Sequence, residues 1–324
     1  MRTLAHALIP SILFVALLSS CGGSGGGNGE TLSGNIRIDG SSTVYPITEA
    51  VAEEFRKDYP RVRVTVGYSG TGGGFKKFGR GDTDITNASK AINAEQAQLC
   101  HDNNISYVEV EVAYDGMAVV AHPQNDWCQT ITVSELKKIW EPAAQKTIMR
   151  WNQIRPEWPN EEIHLYGPGV ASGTYDYFTE VVVGKAHSSR GDFTASEDDN
   201  VLVQGIASDK YALGFFGLAY FEENKDKLRL VGVDNEQGGG PVIPTLETVK
   251  NKSYSPLSRP LFIYVNSEAA KRPEAQAFVN FYLETAPVLV EEVGYIALTD
   301  EEYDREQKKF NDFVESLQPL TASD

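Results

Sequence analysis

Short apolar runs alternate with longer amphipathic stretches along most of the chain. Runs such as RVRVTV and LFIYVN have the alternating or clustered apolar residues that are typical of strands. Stretches such as TVYPITEAVAEEFRKDYP and TVSELKKIWEPA are amphipathic, which is typical of helices. This alternation predicts an α/β protein built from packed layers of strands and helices.

The first residues have the pattern of an export signal. Arg2 is followed by a mostly apolar run from Ala7 to Leu18, which is too short to span a bilayer. We therefore expect a signal peptide over residues 1–20. The residues Leu18-Ser-Ser-Cys21 resemble a bacterial lipobox, in which cleavage frees the cysteine for lipidation. The alternative is an ordinary secretory signal followed by a chance cysteine.

A glycine-rich segment follows the candidate lipidation site. Residues 21–34 read CGGSGGGNGETLSG, and this composition predicts a flexible tether. Together these features predict a protein outside the cytoplasm, in the periplasm, that an acyl chain on Cys21 anchors to a bacterial membrane.

Two other cysteines remain, Cys100 and Cys128. An even pair in an oxidising compartment favours a disulfide, so the export signal predicts a bridge between them. The alternative is two free buried thiols. No Cys or His spacing is typical of zinc ligands, and we expect neither a metal nor a cofactor.

The chain is acidic, with 29 Lys and Arg against 45 Asp and Glu in 324 residues and a net charge of −16. This balance argues against nucleic acid as a partner. It does not exclude an anionic ligand, because net charge governs solubility and steering rather than one buried site. The length exceeds one comfortable core and predicts two domains.

Three motifs rich in glycine and hydroxyl groups lie where a predicted strand meets a predicted helix. They are GSSTVYP, SGTGGGF and ASGTYDYF. Helix N-termini carry unpaired N–H groups and a partial positive charge, and glycine lets the backbone approach a ligand closely. One such junction is often only a turn. Three of them predict helix N-termini that converge on one small anion.

The same glycines do not form a nucleotide-binding motif. A Walker A loop requires Ser or Thr after Gly-Lys, whereas Phe78 follows the lysines of GTGGGFKKF. A dinucleotide fingerprint requires a final glycine where this chain has Phe75. Both departures argue against a nucleotide.

Four motifs follow one another along the chain: Gly40–Pro46, Ser69–Gly74, Asp84–Ser89 and Ser172–Thr174. In this order they resemble the phosphate-binding proteins of bacterial phosphate-specific ABC importers. The resemblance implies a type II periplasmic-binding-protein fold, in which two α/β lobes joined by two crossing strands hold phosphate in a cleft. It also implies a membrane permease and an ATPase as partners, and we expect a monomer that delivers phosphate and catalyses nothing.

The resemblance also suggests how the chain divides between the lobes. We expect the first lobe to comprise residues 35–113 and the return segment 259–324. The second lobe is expected to comprise residues 114–258.

The motifs imply which residues bind the anion, through hydroxyl groups and backbone N–H groups at helix starts. These residues are Ser42, Thr43, Thr71, Gly72, Ser172, Gly173 and Thr174. Each hydroxyl alone could be a helix cap, and it is the set that favours binding.

Two positions depart from the pattern of the best-known family members. Where many carry an Asp that accepts the phosphate proton, this chain has Ser89, followed by Lys90. Where many carry an Arg, it has Pro168. Lys90 is a candidate point charge in the cleft or a solvated surface lysine. Asp115 is the candidate proton acceptor or a turn residue before Gly116.

Arg190 and the acidic run of residues 196–200 carry charges that the motifs do not use. They could line the same cleft. Alternatively, they cap a helix.

Two other functions are compatible with the composition. Another tetrahedral oxyanion, such as sulfate, could occupy the same cleft. A secreted phosphatase or serine hydrolase fits less well, because no Gly-x-Ser-x-Gly elbow appears and the run around Ser69 is Gly67-Tyr-Ser-Gly-Thr71.

Overall fold

A computed structural model describes residues 32–170, 172–196 and 198–318. The predicted signal peptide, the lipidation site Cys21 and most of the predicted tether lie outside these residues. Among the described helices, none combines the length and the apolar composition that are needed to cross a bilayer.

The described strands form one large sheet and one small sheet. In chain order they are β1 (Gly34–Gly40), β2 (Val62–Val66), β3 (Ile85–Ala88), β4 (Tyr107–Ala121), β5 (Thr130–Thr132), β6 (His164–Pro168), β7 (Thr194–Ser196), β8 (Ala212–Gly217), β9 (Arg229–Leu230), β10 (Gly232–Asp234) and β11 (Ser258–Asn266). Only β5 and β10 belong to the small sheet.

Helices connect most of these strands. In chain order they are α1 (Tyr45–Asp58), α2 (Gly70–Phe78), α3 (Ala94–Asp102), α4 (Val133–Trp140), α5 (Gly173–Phe178), α6 (Asp199–Ala207), α7 (Leu218–Glu223), α8 (Leu246–Lys250), α9 (Ser267–Ala270), α10 (Pro273–Glu292) and α11 (Asp300–Ser316). Two short 3-10 turns, Pro142–Ala144 and Trp151–Gln153, and a π-helical turn, Thr179–Val183, complete the helical structure of the described residues.

The large sheet has parallel strands at both ends and antiparallel strands in the middle. Its order is β2-β1-β3-β11-β4-β8-β6-β7, with β9 beside β4. β1 pairs in parallel with β2 and β3, and β6 pairs in parallel with β7 and β8. We call the part around β1–β3 the first lobe and the part around β6–β8 the second lobe. The predicted α/β fold with two lobes is confirmed.

The middle of the sheet joins the lobes. β4 is 15 residues long, and it pairs with β11 over residues 107–116 and with β8 over residues 117–121. It therefore passes from the first lobe into the second without a break, while β11 returns the chain to the first lobe. The residue limits that we gave for the lobes stay a prediction.

Each lobe has its own group of packed aromatic side chains. In the first lobe, Phe55 of α1 lies against Phe278 of α10, with ring centroids 5.2 Å apart. In the second lobe, Phe178 stacks on Phe215 at 3.7 Å, and Trp140 contacts both rings. Burying each of these side chains contributes about 1.5–3 kcal/mol, which fixes the helices on the strands that carry the site.

The pair Cys100 and Cys128 corrects one prediction. Both thiols are free and buried, so the predicted disulfide is wrong. Cys100 packs in α3 against the aromatic side chains of α2 and β11, whereas Cys128 packs into the larger apolar cluster near β5. The even count of cysteines indicated a bridge, but the fold buries the two residues in different clusters.

We expect both thiols to react with an alkylating reagent only after unfolding, and without a reductant. Burial raises the pKa of Cys100 and raises that of Cys128 to about 12, so little reactive thiolate is present near neutral pH. Mass spectrometry of a chain that starts at residue 32 would count the adducts. Adducts that appear only after reduction would show that the two cysteines form a disulfide.

Candidate anion-binding site

The starts of α1 and α2 face the cleft without a side-chain cap. Val44 precedes α1 and Ser69 precedes α2, and neither side chain accepts a hydrogen bond from the helix. Neither helix has an acidic residue in its first turn. The partial positive charge of both helix starts is therefore not neutralised within the helix.

Glycines let the motifs approach one another. A Cβ at Gly74 would lie 2.5 Å from the Cα of Gly40, so α2 rests directly on the end of β1. A Cβ at Gly173 would lie 2.8 Å from the Cα of Thr43, so the third motif rests on the first. A Cβ at Gly72 would meet no atom within 4 Å, which leaves its backbone open to a ligand.

Two adjoining cavities lie between the lobes. The first has a volume of about 360 Å³ and the second of about 810 Å³. They share Ser42, Gly70, Asp176 and His187 in their walls.

The fold brings all ten predicted site residues to these walls. The first cavity is lined by Ser42, Thr43, Thr71, Gly72, Ser89 and Lys90. The second is lined by Ser42 together with Asp115, Ser172, Gly173 and Thr174. The three motifs therefore converge, and the assignment of these residues to an anion stays a prediction.

The hydroxyl groups of Thr71 and Ser89 form a buried pair. Their oxygens are 3.0 Å apart, and the backbone N–H of Ser89 donates to Thr71 Oγ1 at 3.1 Å. Thr71 Oγ1 accepts this bond through a lone pair. The Thr71 hydroxyl proton therefore remains available to donate to Ser89 or into the first cavity.

Ser172 caps the helix that the second lobe contributes. Its Oγ accepts a hydrogen bond from the backbone N–H of Thr174 at 3.2 Å. The capping alternative is therefore realised for Ser172, and the hydroxyl proton remains available for another acceptor.

Arg259 is the cation that sequence reasoning missed. It lines the first cavity, its guanidinium lies 3.5 Å from the centre of the Tyr177 ring, and its Nη2 donates to Thr43 Oγ1 at 3.0 Å. This chain has Pro168 where many family members carry an arginine, so no cation was expected from that position. Arg259 follows the last motif by 85 residues, so only strand pairing reveals it.

Asp115 lies directly opposite Arg259 on the neighbouring strand. Arg259 Nε and Nη2 each lie 3.2 Å from Asp115 Oδ2, and the two side chains are only 11% and 2% exposed. Burial raises the pKa of the Asp115 carboxyl, and the arginine opposes this effect. Asp115 therefore orients Arg259 toward the first cavity.

Lys90 makes an ion pair across the cleft. Its Nζ lies 2.8 Å from Glu180 Oε1, which belongs to the second lobe, and both side chains are about half exposed. Lys90 thus lines the first cavity while remaining partly solvated, and its role toward an anion stays a prediction.

Asp176 and His187 were also missed by sequence reasoning. Ser42 Oγ donates to Asp176 Oδ2 at 3.3 Å, and His187 Nδ1 lies 2.8 Å from Asp176 Oδ1. Burial raises the pKa of the Asp176 carboxyl, and His187 and Ser42 oppose this effect. The third motif, SGTYD, contains Asp176, and its place one helical turn after Ser172 was the available signal.

Arg190 has structural contacts, whereas the acidic run both caps a helix and reaches the cleft, because Asp199 lines the second cavity. Arg190 is almost fully buried, and it binds Asp192 and the carbonyl groups of Ile139 and Ile148. It lines neither cavity. Asp198 caps α6 by accepting the N–H of Asn200 at 2.9 Å, so the capping alternative is the one realised for this residue.

A comparison with known families defines the class of protein. The PBP superfamily domain matches residues 26–285, which is most of the chain. The chain therefore belongs to the PBP superfamily, in the family of the SphX and PstS proteins described next.

Individual relatives make this placement more specific. The chain is 50% identical over 309 residues to Protein SphX of Synechocystis sp., covering 95% of this chain and 90% of that protein. It is 39% identical over 301 residues to the phosphate-binding protein PstS of Staphylococcus saprophyticus, covering 92% and 91%. These relatives confirm the resemblance that the motifs indicated.

A solved structure is similar over nearly the whole fold. It is the crystal structure of a possible phosphate binding protein from Planctomyces limnophilus, 46% identical, with a TM-score of 0.84. The match covers 87% of this chain and 99% of that one.

Replacing Arg259 by methionine should destabilise the fold, because the buried Asp115 carboxylate would lose its counter-charge. We expect the free energy of unfolding to fall by about 3–5 kcal/mol at neutral pH. The pKa of Asp115 should then rise further, so the native state binds a proton more tightly than the unfolded chain. The variant should therefore lose stability as the pH rises from the pKa of Asp115 in the unfolded chain to its higher pKa in the folded variant. It should recover this stability in acid, where Asp115 is protonated in both states.

Urea unfolding of Arg259→Met at acidic and neutral pH tests this expectation. Arg305→Met is the matched control, because the Arg305 side chain is 72% exposed and lies 3.8 Å from Glu302, so its loss should cost less than about 1 kcal/mol. Equal losses in the two variants would show that Asp115 does not depend on Arg259.

Proposed function

We propose that this protein captures inorganic phosphate outside the cytoplasm and delivers it to an ABC importer. Its phosphate site is the first cavity together with the adjoining start of α5. The membrane permease and the ATPase of the importer are its partners, and the protein reaches them as a lipid-anchored monomer in the periplasm.

The observation that carries this proposal is the position of Arg259 in a cavity lined by hydroxyl groups. Arginine is a strong partner for a phosphate oxygen, because its charge is permanent and its N–H groups are fixed in a fork. Thr43, Thr71 and Ser89 place three hydroxyl groups in the same wall. Hydroxyl groups and helix N–H groups can together donate to several oxygens of one tetrahedral anion.

The acidic chain does not prevent anion binding at this place. Arg259, Lys90 and Lys185 all line the first cavity, and two uncapped helix starts point toward it. Fixed dipoles and cations in a partly desolvated cleft act over a few ångströms, whereas salt screens most of the distant surface charge.

Contacts between the lobes support a binding cycle in which the lobes close on the ligand. Gly173 rests on Thr43, and Lys90 pairs with Glu180 across the cleft. A ligand that adds hydrogen bonds to both lobes would favour this closed arrangement over an open one. The shift in the equilibrium between the two arrangements equals the difference between their free energies of ligand binding.

The relatives support phosphate as the ligand. A relative at 39% identity is named a phosphate-binding protein, and a crystal structure at 46% identity is described as a possible phosphate binding protein. We infer that the present chain shares this ligand and that it performs no chemical step.

Phosphate should bind to the unlipidated protein in calorimetry, and Thr71→Ala and Ser172→Ala should each weaken it. A lost hydrogen bond to a charged group is worth about 1.5–3 kcal/mol, so affinity should fall roughly ten- to a hundredfold. Thr285→Ala is the control, because its hydroxyl bonds within α10 to the carbonyl of Phe281 and lines neither cavity.

The same titration with sulfate and arsenate, and an assay with a chromogenic phosphate ester, separate the alternatives. If sulfate binds more tightly than phosphate, sulfate is the ligand. Turnover of the ester would indicate a phosphatase. Unchanged affinity in both alanine variants would remove these hydroxyl groups from the site.

Replacing Cys21 by serine should release the protein from the membrane, because the proposed acyl chain would have no thiol to attach to. The glycine-rich tether carries no apolar surface that could replace it. Fractionation of cells that express each form would show the wild type with membranes and the variant in the soluble fraction. A variant that stays with the membranes would mean that another segment holds it there.

A further inference from the structure

The second cavity is larger than a phosphate ion requires. Its volume is about 810 Å³, against about 360 Å³ for the first cavity. Pockets that hold organic ligands have volumes of roughly 300–1,000 Å³. The two cavities meet at Ser42 and Gly70 of the first lobe and at Asp176 and His187 of the second. A ligand whose phosphate group lies at this junction can therefore extend an organic group into the second cavity.

Tyrosine side chains from both lobes line the second cavity. They are Tyr45, Tyr68, Tyr220 and Tyr295. The rings of Tyr45 and Tyr68 meet edge to face in the first lobe, with centroids 5.1 Å apart. Tyr220 belongs to α7 of the second lobe, and a Cβ at Gly294 would lie 3.7 Å from its ring. The turn that carries Tyr295 therefore packs against Tyr220, and aromatic rings from the two lobes enclose the cavity.

The charges in the walls of the two cavities differ in sign. The first cavity carries the cations Arg259, Lys90 and Lys185. Among the described residues, no Lys or Arg lines the second cavity, and its carboxylates are Asp115, Asp176 and Asp199. Asp115 is already paired with Arg259, which leaves Asp176 and Asp199 to set the charge there. These walls disfavour an organic group with a negative charge and favour one with a positive charge.

Tyr220 and Asp199 combine the two features that an ammonium group prefers. Burial raises the pKa of the Tyr220 hydroxyl, and the nearby carboxylate of Asp199 raises it further. The ring is therefore neutral near neutral pH and lies close to a carboxylate. Aromatic faces attract cations, and quaternary ammonium groups in particular are recognised by clusters of aromatic rings.

We propose that the second cavity binds the ammonium end of a phosphate monoester whose phosphate group occupies the proposed phosphate site. This inference rests on the proposed function, and it extends the ligands from inorganic phosphate to monoesters with a cationic organic group. The ester is bound intact, and no bond is broken.

The separation of charge along the cleft is the physical basis. The phosphate end of such an ester meets Arg259 and the hydroxyl donors of the first cavity, through its unsubstituted oxygens. The ammonium end meets aromatic rings and carboxylates. Inorganic phosphate fills only the first of these two environments.

Calorimetry with a matched pair of esters tests the inference. One is choline phosphate, and the other is its carbon isostere, in which a tert-butyl group replaces the trimethylammonium group. Both have the same shape, so their difference reports the positive charge alone. We expect choline phosphate to bind the wild type at least about fivefold more tightly than the isostere, as one cation–π contact predicts. It should also displace inorganic phosphate, because both ligands place a phosphate group in the same site.

Tyr220→Leu and Tyr68→Leu should each weaken choline phosphate roughly two- to tenfold and leave the affinity for inorganic phosphate unchanged. Tyr68 is 66% exposed, so Tyr68→Leu keeps the test available if Tyr220→Leu does not fold. Tyr211→Leu is the matched control, because Tyr211 is a partly buried tyrosine of the second lobe that lines neither cavity. It should change the affinity for none of the ligands.

The ligands distinguish a failed inference from a failed function. If inorganic phosphate binds and choline phosphate does not, or if the two esters bind equally well, the inference is overturned and the proposed function stands. Simultaneous binding of choline phosphate and inorganic phosphate would also overturn the inference, because the two would then occupy separate sites. A wild type that binds none of the three ligands overturns the proposed function and the inference with it.

Discussion

The antiparallel pairing of β4 with β11 is the contact on which the site depends. It joins the two lobes, because β4 continues from β11 in the first lobe to β8 in the second. The same register sets Asp115 opposite Arg259. A shift of β11 by one residue would turn Arg259 to the other face of the sheet, away from Asp115 and Thr43. The strand pairing that holds the lobes together therefore also fixes the cation between them.

Local sequence predicted the parts of the site that local structure creates. Ser42, Thr71 and Ser172 lie in motifs at strand-to-helix junctions, and each junction carries its own glycine and hydroxyl signal. Arg259 gives no such signal, since it approaches the first cavity only through the register of two strands far apart in sequence. The contact of His187 with Asp176 depends on a π-helical turn, which no pattern in the segment indicated. The cysteine prediction failed for a related reason, because counting thiols says nothing about the clusters in which they pack.

The charges around the first cavity are close to balanced. Its walls carry the cations Arg259, Lys90 and Lys185 and the carboxylates of Asp176 and Glu180, and Asp115 lies behind Arg259. A cleft with several unpaired cations would attract any anion and would be costly to keep desolvated. Pairing each of Arg259 and Lys90 with a carboxylate lowers that cost. The attraction for a ligand then comes more from directed hydrogen bonds of hydroxyl groups and helix N–H groups than from net charge.

Under the proposed function, this balance leaves hydrogen-bond geometry as the means by which the cavity would select an anion. Coulomb attraction alone distinguishes anions by charge, and phosphate and sulfate are similar in shape and close in charge. Donors in both lobes can satisfy the oxygens of either anion, so a site made of donors alone would accept both. Selection requires an acceptor that one anion can satisfy and the other cannot, and such an acceptor costs little only when it already has partners in the empty site.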